Sequence, residues 1–129
     1  MPLTAANSPH SVTVTTDRLV AALNRRDITV FARVDHSGGA RAARLELADE
    51  ELLIFGDPRV GTALMRGDPE IGYELPLRVL VWDAGGQTRV GYRRTMEVAG
   101  GYAVVDQKEL LGRMDALLEG LVAESTAAA

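Results

Sequence analysis

The sequence contains no cysteine, only one lysine and few aromatic residues, and it has no long apolar run. Without cysteine there can be no disulfide, thiolate metal site or cysteine nucleophile. No segment approaches the roughly 18 apolar residues of a membrane-spanning helix, and residues 1–10 lack the basic start and apolar stretch of a secretory signal. We therefore expect a soluble, cytoplasmic protein without a membrane partner.

Clustered positive charge is also absent. The chain has 14 basic and 18 acidic residues, a net charge of -4, and its densest basic groupings are Arg25 with Arg26, Arg41 with Arg44, and Arg93 with Arg94. A nucleic-acid surface needs clustered Lys or Arg to displace counterions from phosphates. Nucleic acid is therefore not an expected partner.

What the chain does have is the composition of one globular domain. Of its 129 residues, 47% are apolar and 25% are charged, which is an ordinary balance for a folded protein. Residues 1–10 and 125–129 show no periodicity. We predict a single domain over residues 11–124, with a flexible leader before it and a flexible tail after it.

Strand patterns alternate irregularly with helix patterns. Strands are predicted at residues 11–16, 28–34, 51–55, 77–82 and 88–93, and the glycines at 85 and 86 indicate a hairpin between the last two. Helices are predicted at residues 17–26, 37–47, 59–66 and from the capping box at 106–109 to about 124. Residues 71–76 are expected to be irregular. The prediction is an α+β fold: a mainly antiparallel sheet with helices packed on one face.

The established catalytic motifs are missing, since there is no phosphate loop, dinucleotide fingerprint, His pair at i, i+4 or nucleophile elbow. The strongest remaining candidate is Asp35 beside His36 at a strand end. A carboxylate can orient an imidazole for acid/base chemistry or metal binding. The structural alternative is that the pair satisfies the backbone donors of the next helix.

A second candidate combines a glycine turn, a carboxylate and a hydroxyl at the start of a helix. It comprises Gly56, Asp57, Pro58, Gly61 and Thr62. Such a helix start can receive an anion, and it can equally be turn and capping chemistry alone. If the two preceding strands are parallel neighbours, this segment and Asp35 meet at one edge of the sheet; if they are antiparallel, they separate. We expect them to converge.

Four motifs in order resemble the domain of unknown function 302 family. They are VFARVDH at residues 30–36, ELLIFGDP at 51–58, GTALM at 61–65 and LPLRVLVW at 75–82, and the resemblance spans roughly residues 12–122. It implies a small bacterial or archaeal α+β protein that dimerises and has no established activity. Asp35, His36, Gly56, Asp57, Pro58, Gly61 and Thr62 are shared motif positions, so they remain candidates without an assigned role.

Two functions follow as expectations. The first is a non-enzymatic, homodimeric module that binds a small polar or anionic ligand, or a protein. The alternative is a small enzyme that uses Asp35 and His36 in acid/base chemistry. Neither a cofactor nor a metal ion is expected.

Overall fold

The computed structural model describes residues 2–128, without the side chain of Val105. Its strands are β1 (Thr4–Ser8), β2 (Thr29–Asp35), β3 (Glu50–Gly56), β4 (Leu77–Ala84) and β5 (Gln87–Tyr92). Its helices are α1 (Val12–Arg25), α2 (His36–Ala42), α3 (Pro58–Gly67), α4 (Thr95–Val98) and α5 (Lys108–Ser125), and short 3-10 helices cover Pro69–Glu74, Ala99–Gly101 and Val105–Gln107. The strands form one antiparallel sheet in the order β1-β5-β4-β3-β2. The predicted α+β fold is confirmed.

Alternation along the strands divides the sheet into two faces. On one face Leu53 and Phe55 of β3 are fully buried. They belong to a cluster that also holds Leu19 of α1 and Leu118 and Leu121 of α5. Helices α1 and α5 therefore cover this face, as predicted. A smaller cluster holds Leu64, Ile71, Ala99, Val104, Leu111 and Met114, and it joins α3 to the first half of α5.

The predicted hairpin between β4 and β5 is confirmed. Its turn residues Gly85 and Gly86 have φ angles of 64° and 97°. Two consecutive residues with positive φ suit the right-handed twist of the strands, and glycine reaches that region without steric cost. The Asp83 carboxylate accepts a hydrogen bond from the Gly86 amide at 2.7 Å, which closes the turn.

The start of the chain differs from the prediction. Residues 11–16 are not a strand, because Ser11 caps α1 by accepting from the Val14 amide at 3.1 Å. Val12, Thr15, Thr16 and Leu19 are buried at helical spacing, so packing overrides the strand propensity of the β-branched residues. The predicted leader is also wrong for Thr4–Ser8, which pair with β5. Met1 lies outside the described residues.

Two helix ends also depart from expectation. Helix α2 stops at Ala42 instead of near Leu47, because Arg44 has a φ of 62° and Leu45 N donates to Ala40 O at 2.8 Å. This left-handed ending usually uses glycine, so arginine gave no signal for it. The capping box predicted at 106–109 does not form, and α5 begins at Lys108 without a side-chain cap.

The end of α5 and the residues just after it lie against α1 and against His10, which precedes α1. Arg18 of α1 donates hydrogen bonds to the backbone oxygens of Glu124, Ser125 and Ala127, each at 3.1 Å. His10 Nε2 lies 2.6 Å from the same Ala127 oxygen. Ser125, which the prediction placed in the flexible tail, is therefore the last residue of α5, and Ala127 contacts α1. Ala129 lies outside the described residues.

Candidate functional site

Asp35 and His36 stand at the junction of β2 and α2. The Asp35 carboxylate accepts from the Gly38 amide and from the Ser37 hydroxyl, both at 2.8 Å, and Arg41 lies 3.7 Å away. These donors, the Gly38 amide first, hold the pKa of Asp35 below its usual value. His36 is exposed on the first turn of the helix. The carboxylate thus caps α2, which is the structural alternative anticipated for this pair.

Asp57 caps α3 in the same manner. It accepts from the Arg59 amide at 3.0 Å, and its two oxygens also receive the Arg59 guanidinium at 3.0 and 3.1 Å. Arg59 lowers the pKa of Asp57, so this carboxylate stays ionised and paired. Pro58 occupies the first turn of α3, where its missing amide hydrogen costs nothing.

The two candidate segments do not meet. Strands β2 and β3 are antiparallel, with Asp35 opposite Glu51 and Thr29 opposite Gly56. Asp35 therefore lies at one end of this strand pair and Asp57 follows the other end. The expected convergence is wrong, because it required parallel neighbours.

The segment from Gly56 to Thr62 instead lines an apolar cavity of about 460 Å³. The cavity lies between the start of α3, the segment that leads into β4, and the first half of α5. Apolar side chains form most of its wall: Ile28, Phe31, Pro58, Val60, Met65, Leu75, Pro76, Leu77, Leu110, Met114 and Leu117. Cavities that hold small ligands in proteins have this size and this character.

One glycine leaves room inside this cavity. A Cβ atom at Gly61 would lie 3.6 Å from Met65 Cε and 3.7 Å from Leu75 Cδ1, which are ordinary contact distances. A larger side chain at Gly61 would therefore enter the space between these residues. The absence of a side chain at Gly61, a position of the sequence motif, therefore keeps the cavity open.

Arg113 supplies the unpaired charge of this site. It lines the cavity from α5 and is exposed, and within residues 2–128 it has no acidic partner at ion-pair distance. Among the described residues that line the cavity, the other charged one is Asp57, and it is paired with Arg59. The charged group of the lining that is left for a ligand is therefore the Arg113 guanidinium, which favours an anionic group.

Sequence reasoning missed Arg113 and the apolar wall around it. Leu110, Met114 and Leu117 belong to the leucine-rich stripe of α5, which predicts a core position for each of them equally well. Arg113 is one charged residue among several on that helix. Only the tertiary arrangement separates it from the others, because α3 and the chain before β4 come to lie opposite.

The described residues form two further cavities, and the larger one adjoins the first, because Leu75, Leu77 and Met114 line both. A polar one of about 260 Å³ is lined by Arg33, Asp35, Arg41 and Glu51, and another of about 640 Å³ lies where β4 begins and β5 ends. Over the described part of the chain, no three His, Cys, Asp or Glu side chains come together as metal ligands. No helix in that part is long and apolar enough to cross a membrane.

In the described residues, fold and site together define a small α+β domain with an apolar cavity that Arg113 borders. Residues 4–121 match the family model "Domain of unknown function DUF302", so the chain belongs to this family. The crystal structure of an uncharacterized conserved DUF302 protein from Bacillus stearothermophilus superposes with a TM-score of 0.86, over 98% of this chain and 99% of that one. At 16% identity, this likeness shows the fold alone.

Curated relatives match part of the chain. "Fluoride-specific ion channel FluC 1" of Brucella suis biovar 1 (strain 1330) is 45% identical over 83 residues, which are 64% of this chain and 33% of that protein. The protein of the same name from Brucella abortus biovar 1 (strain 9-941) is also 45% identical over 83 residues, 31% of its length. The match thus spans about a third of these relatives.

Proposed function

We propose that this domain is a non-enzymatic binding module for a small, elongated, mainly apolar molecule that ends in an anionic group. The observation that carries the proposal is the cavity beside Gly61, with its apolar wall and with Arg113 as the one cation among the described residues that line it. Burial of an apolar tail supplies affinity, and a charged group at the mouth fixes its orientation. The sequence analysis expected a small polar or anionic ligand. We propose that this ligand is anionic and that it binds in the cavity beside Gly61.

The alternative function, acid/base catalysis by Asp35 and His36, has less support. A general base has to reach its substrate in a concave, partly dry site. Asp35 is engaged in the cap of α2 and His36 is exposed. The enzyme hypothesis predicts that the wild type has an activity that His36→Ala abolishes. A screen of hydrolase and isomerase substrates with the wild type and with His36→Ala would test it.

The fluoride-channel name of the Brucella relatives belongs to proteins of which the matched residues form only about a third. The cytoplasmic location expected from the sequence stays a prediction, which cell fractionation would check.

We also propose that the domain is a homodimer, as the family resemblance implies.

A thermal-shift series with straight-chain fatty acids and the corresponding primary alcohols tests the binding proposal. A ligand that binds only the folded state stabilises it by about 2.7 kcal/mol at a hundred times its Kd. We expect the acids to raise Tm more than the alcohols. Arg113→Gln should reduce the effect of the acids to that of the alcohols, whereas Arg66→Gln, on α3 outside the cavity wall, should leave it unchanged.

A second pair of variants tests the cavity itself. Gly61→Leu should remove binding of acids and alcohols alike, because the side chain occupies the cavity. Gly112→Leu is the matched control, since this glycine is also helical and has nothing within 4 Å of a Cβ position. Fatty acids that stabilise the wild type and both glycine variants equally would refute the assignment, and so would a series without any effect.

A further inference from the structure

The sheet has a second face, opposite the one that α1 and α5 cover, and at one end Leu52 and Leu80 of this second face line the 640 Å³ cavity. Leu52 and Ile54 of β3 and Leu80 and Trp82 of β4 alternate with the buried residues of their strands, and each is partly exposed. Val34 of β2 continues the row and is 36% exposed. Within the described chain, none of these side chains belongs to either buried cluster. We call these five residues the open face.

The sheet is large enough for a stable interface. Its five strands, about 4.8 Å apart, make it roughly 24 Å wide, and six residues along a strand make it about 20 Å long. The projected area is on the order of 500 Å², and the side-chain relief makes the accessible area larger. A stable complex buries about 800 Å² on each partner, so most of such an interface fits on this side of the sheet.

Glu50 and Arg78 lie at opposite ends of the open face, and Arg89 stands opposite Trp82 at the Glu50 end. Leu52 pairs with Leu80 at its middle. Glu50 pairs with Trp82 at one end, and Arg78 lies opposite Ile54 at the other. Glu50 and Arg78 are therefore four residues apart along the strands, too far to pair within one chain. In the described part of the molecule, neither side chain has an ionic partner.

We propose that a second copy of this chain covers the open face, related by a two-fold axis that runs across the strands at the level of Leu52 and Leu80. The assignment rests on the homodimer proposed above and adds its surface and its symmetry. Rotation about this axis places the Arg78 end of β4 over the Trp82 end of the same strand in the second copy. Arg78 then meets the Trp82 ring and, beside it, Glu50.

This arrangement satisfies both requirements of a symmetric contact. A two-fold interface has to be complementary to itself, and here the same axis brings Arg78 to Glu50 twice. The apolar middle row packs against its own copy, as in two sheets stacked face to face. Arg89 lies 6.0 Å from the centre of the Trp82 ring and donates to the Asn7 side chain, so it stays engaged within its own chain.

Sedimentation equilibrium of the full chain tests the proposal. We expect a dimer, and Leu80→Asp should raise its Kd by at least about a hundredfold, because the charge would be buried without a partner. Leu45→Asp is the matched control, since Leu45 is 65% exposed and lies outside the sheet. A monomeric wild type overturns both the dimer and its surface. A dimer that Leu80→Asp leaves intact overturns the surface alone.

The two-fold arrangement is tested by exchanging charges. Arg78→Glu and Glu50→Arg should each weaken the dimer by roughly tenfold, and the double variant should restore it. Failure to restore it overturns the proposed axis.

The absence of native cysteine allows a second measurement, chemical cross-linking, which does not require a variant that could destabilise the fold. Leu80→Cys should cross-link to itself with a bis-maleimide of about 10 Å, the ordinary spacing of packed sheets, whereas Leu45→Cys should not.

Discussion

Arg33 connects three elements, and its removal should destabilise the fold strongly. From β2 its guanidinium donates to Glu51 of β3 at 2.7 and 3.3 Å and to Asp17 of α1 at 2.7 Å. Glu51 is only 7% exposed. The hydrogen bonds to Glu51 and then to Asp17 raise the pKa of Arg33, so the guanidinium is charged at any working pH. Arg33→Ala would leave the buried Glu51 without its cation.

The two single substitutions, Arg33→Ala and Glu51→Ala, should lower the free energy of unfolding by different amounts. Loss of one partner from a buried pair costs about 3 to 5 kcal/mol because the remaining charge is uncompensated. Arg33→Ala should fall in this range. Glu51→Ala leaves Arg33, whose side chain is 31% exposed, with water and Asp17 as partners, so it should cost only about 1 to 2 kcal/mol. The double variant should resemble Glu51→Ala, so the coupling energy should equal the cost of Arg33→Ala, about 3 to 5 kcal/mol.

Urea unfolding, followed by the fluorescence of Trp82, the one tryptophan of the chain, gives the free energy of unfolding. It should be measured for the wild type, the two single variants and the double variant. The slope of the free energy of unfolding against urea concentration should not change, so that midpoints report stability directly. Equal costs for Arg33→Ala and Glu51→Ala would refute the reasoning from burial. A double variant as unstable as the sum of the single variants would do the same.

Two further predictions concern a helix start and a tyrosine. A Cβ at Gly38 would overlap the Asp35 carboxylate, so Gly38→Ala displaces the cap of α2. Gly38→Ala should therefore unfold at a lower temperature than Gly39→Ala, where the space is open, and thermal unfolding compares the two variants. Burial, and then Glu119, raises the pKa of Tyr92, so its contribution to stability is complete below about pH 10 and is lost as pH rises through the folded-state pKa. Tyr92→Phe should flatten the alkaline decline of Tm, and an unchanged decline would contradict this.

Several elements could be predicted from the sequence because their signals are local. The hairpin of β4 and β5 follows from its glycine turn, and α3 follows from the proline and capping aspartate at its start. The leucine stripe of α5 is long enough to predict a helix whatever its neighbours are. In these segments propensity, apolar spacing and turn chemistry agree, and agreement among them is what makes a local prediction dependable.

The other features depend on contacts between distant residues. Residues 11–16 have strand propensity, and they become helical because Val12 and Thr15 have to be buried against the sheet. Strand β1 has no apolar alternation of its own, and its pairing with β5 determines it. The direction of β2 relative to β3 decides that Asp35 and Asp57 separate. Arg113 becomes part of a site only when α3 lies opposite α5, which no local pattern records.

The contacts at the end of α5 have a consequence for local unfolding. Arg18 donates to three backbone oxygens at the end of α5 and just after it, and His10 lies against one of them. The last turn of α5 therefore cannot open without breaking its contacts with α1. Amide hydrogens in these two segments should exchange together, more slowly than those of a helix end that frays into water.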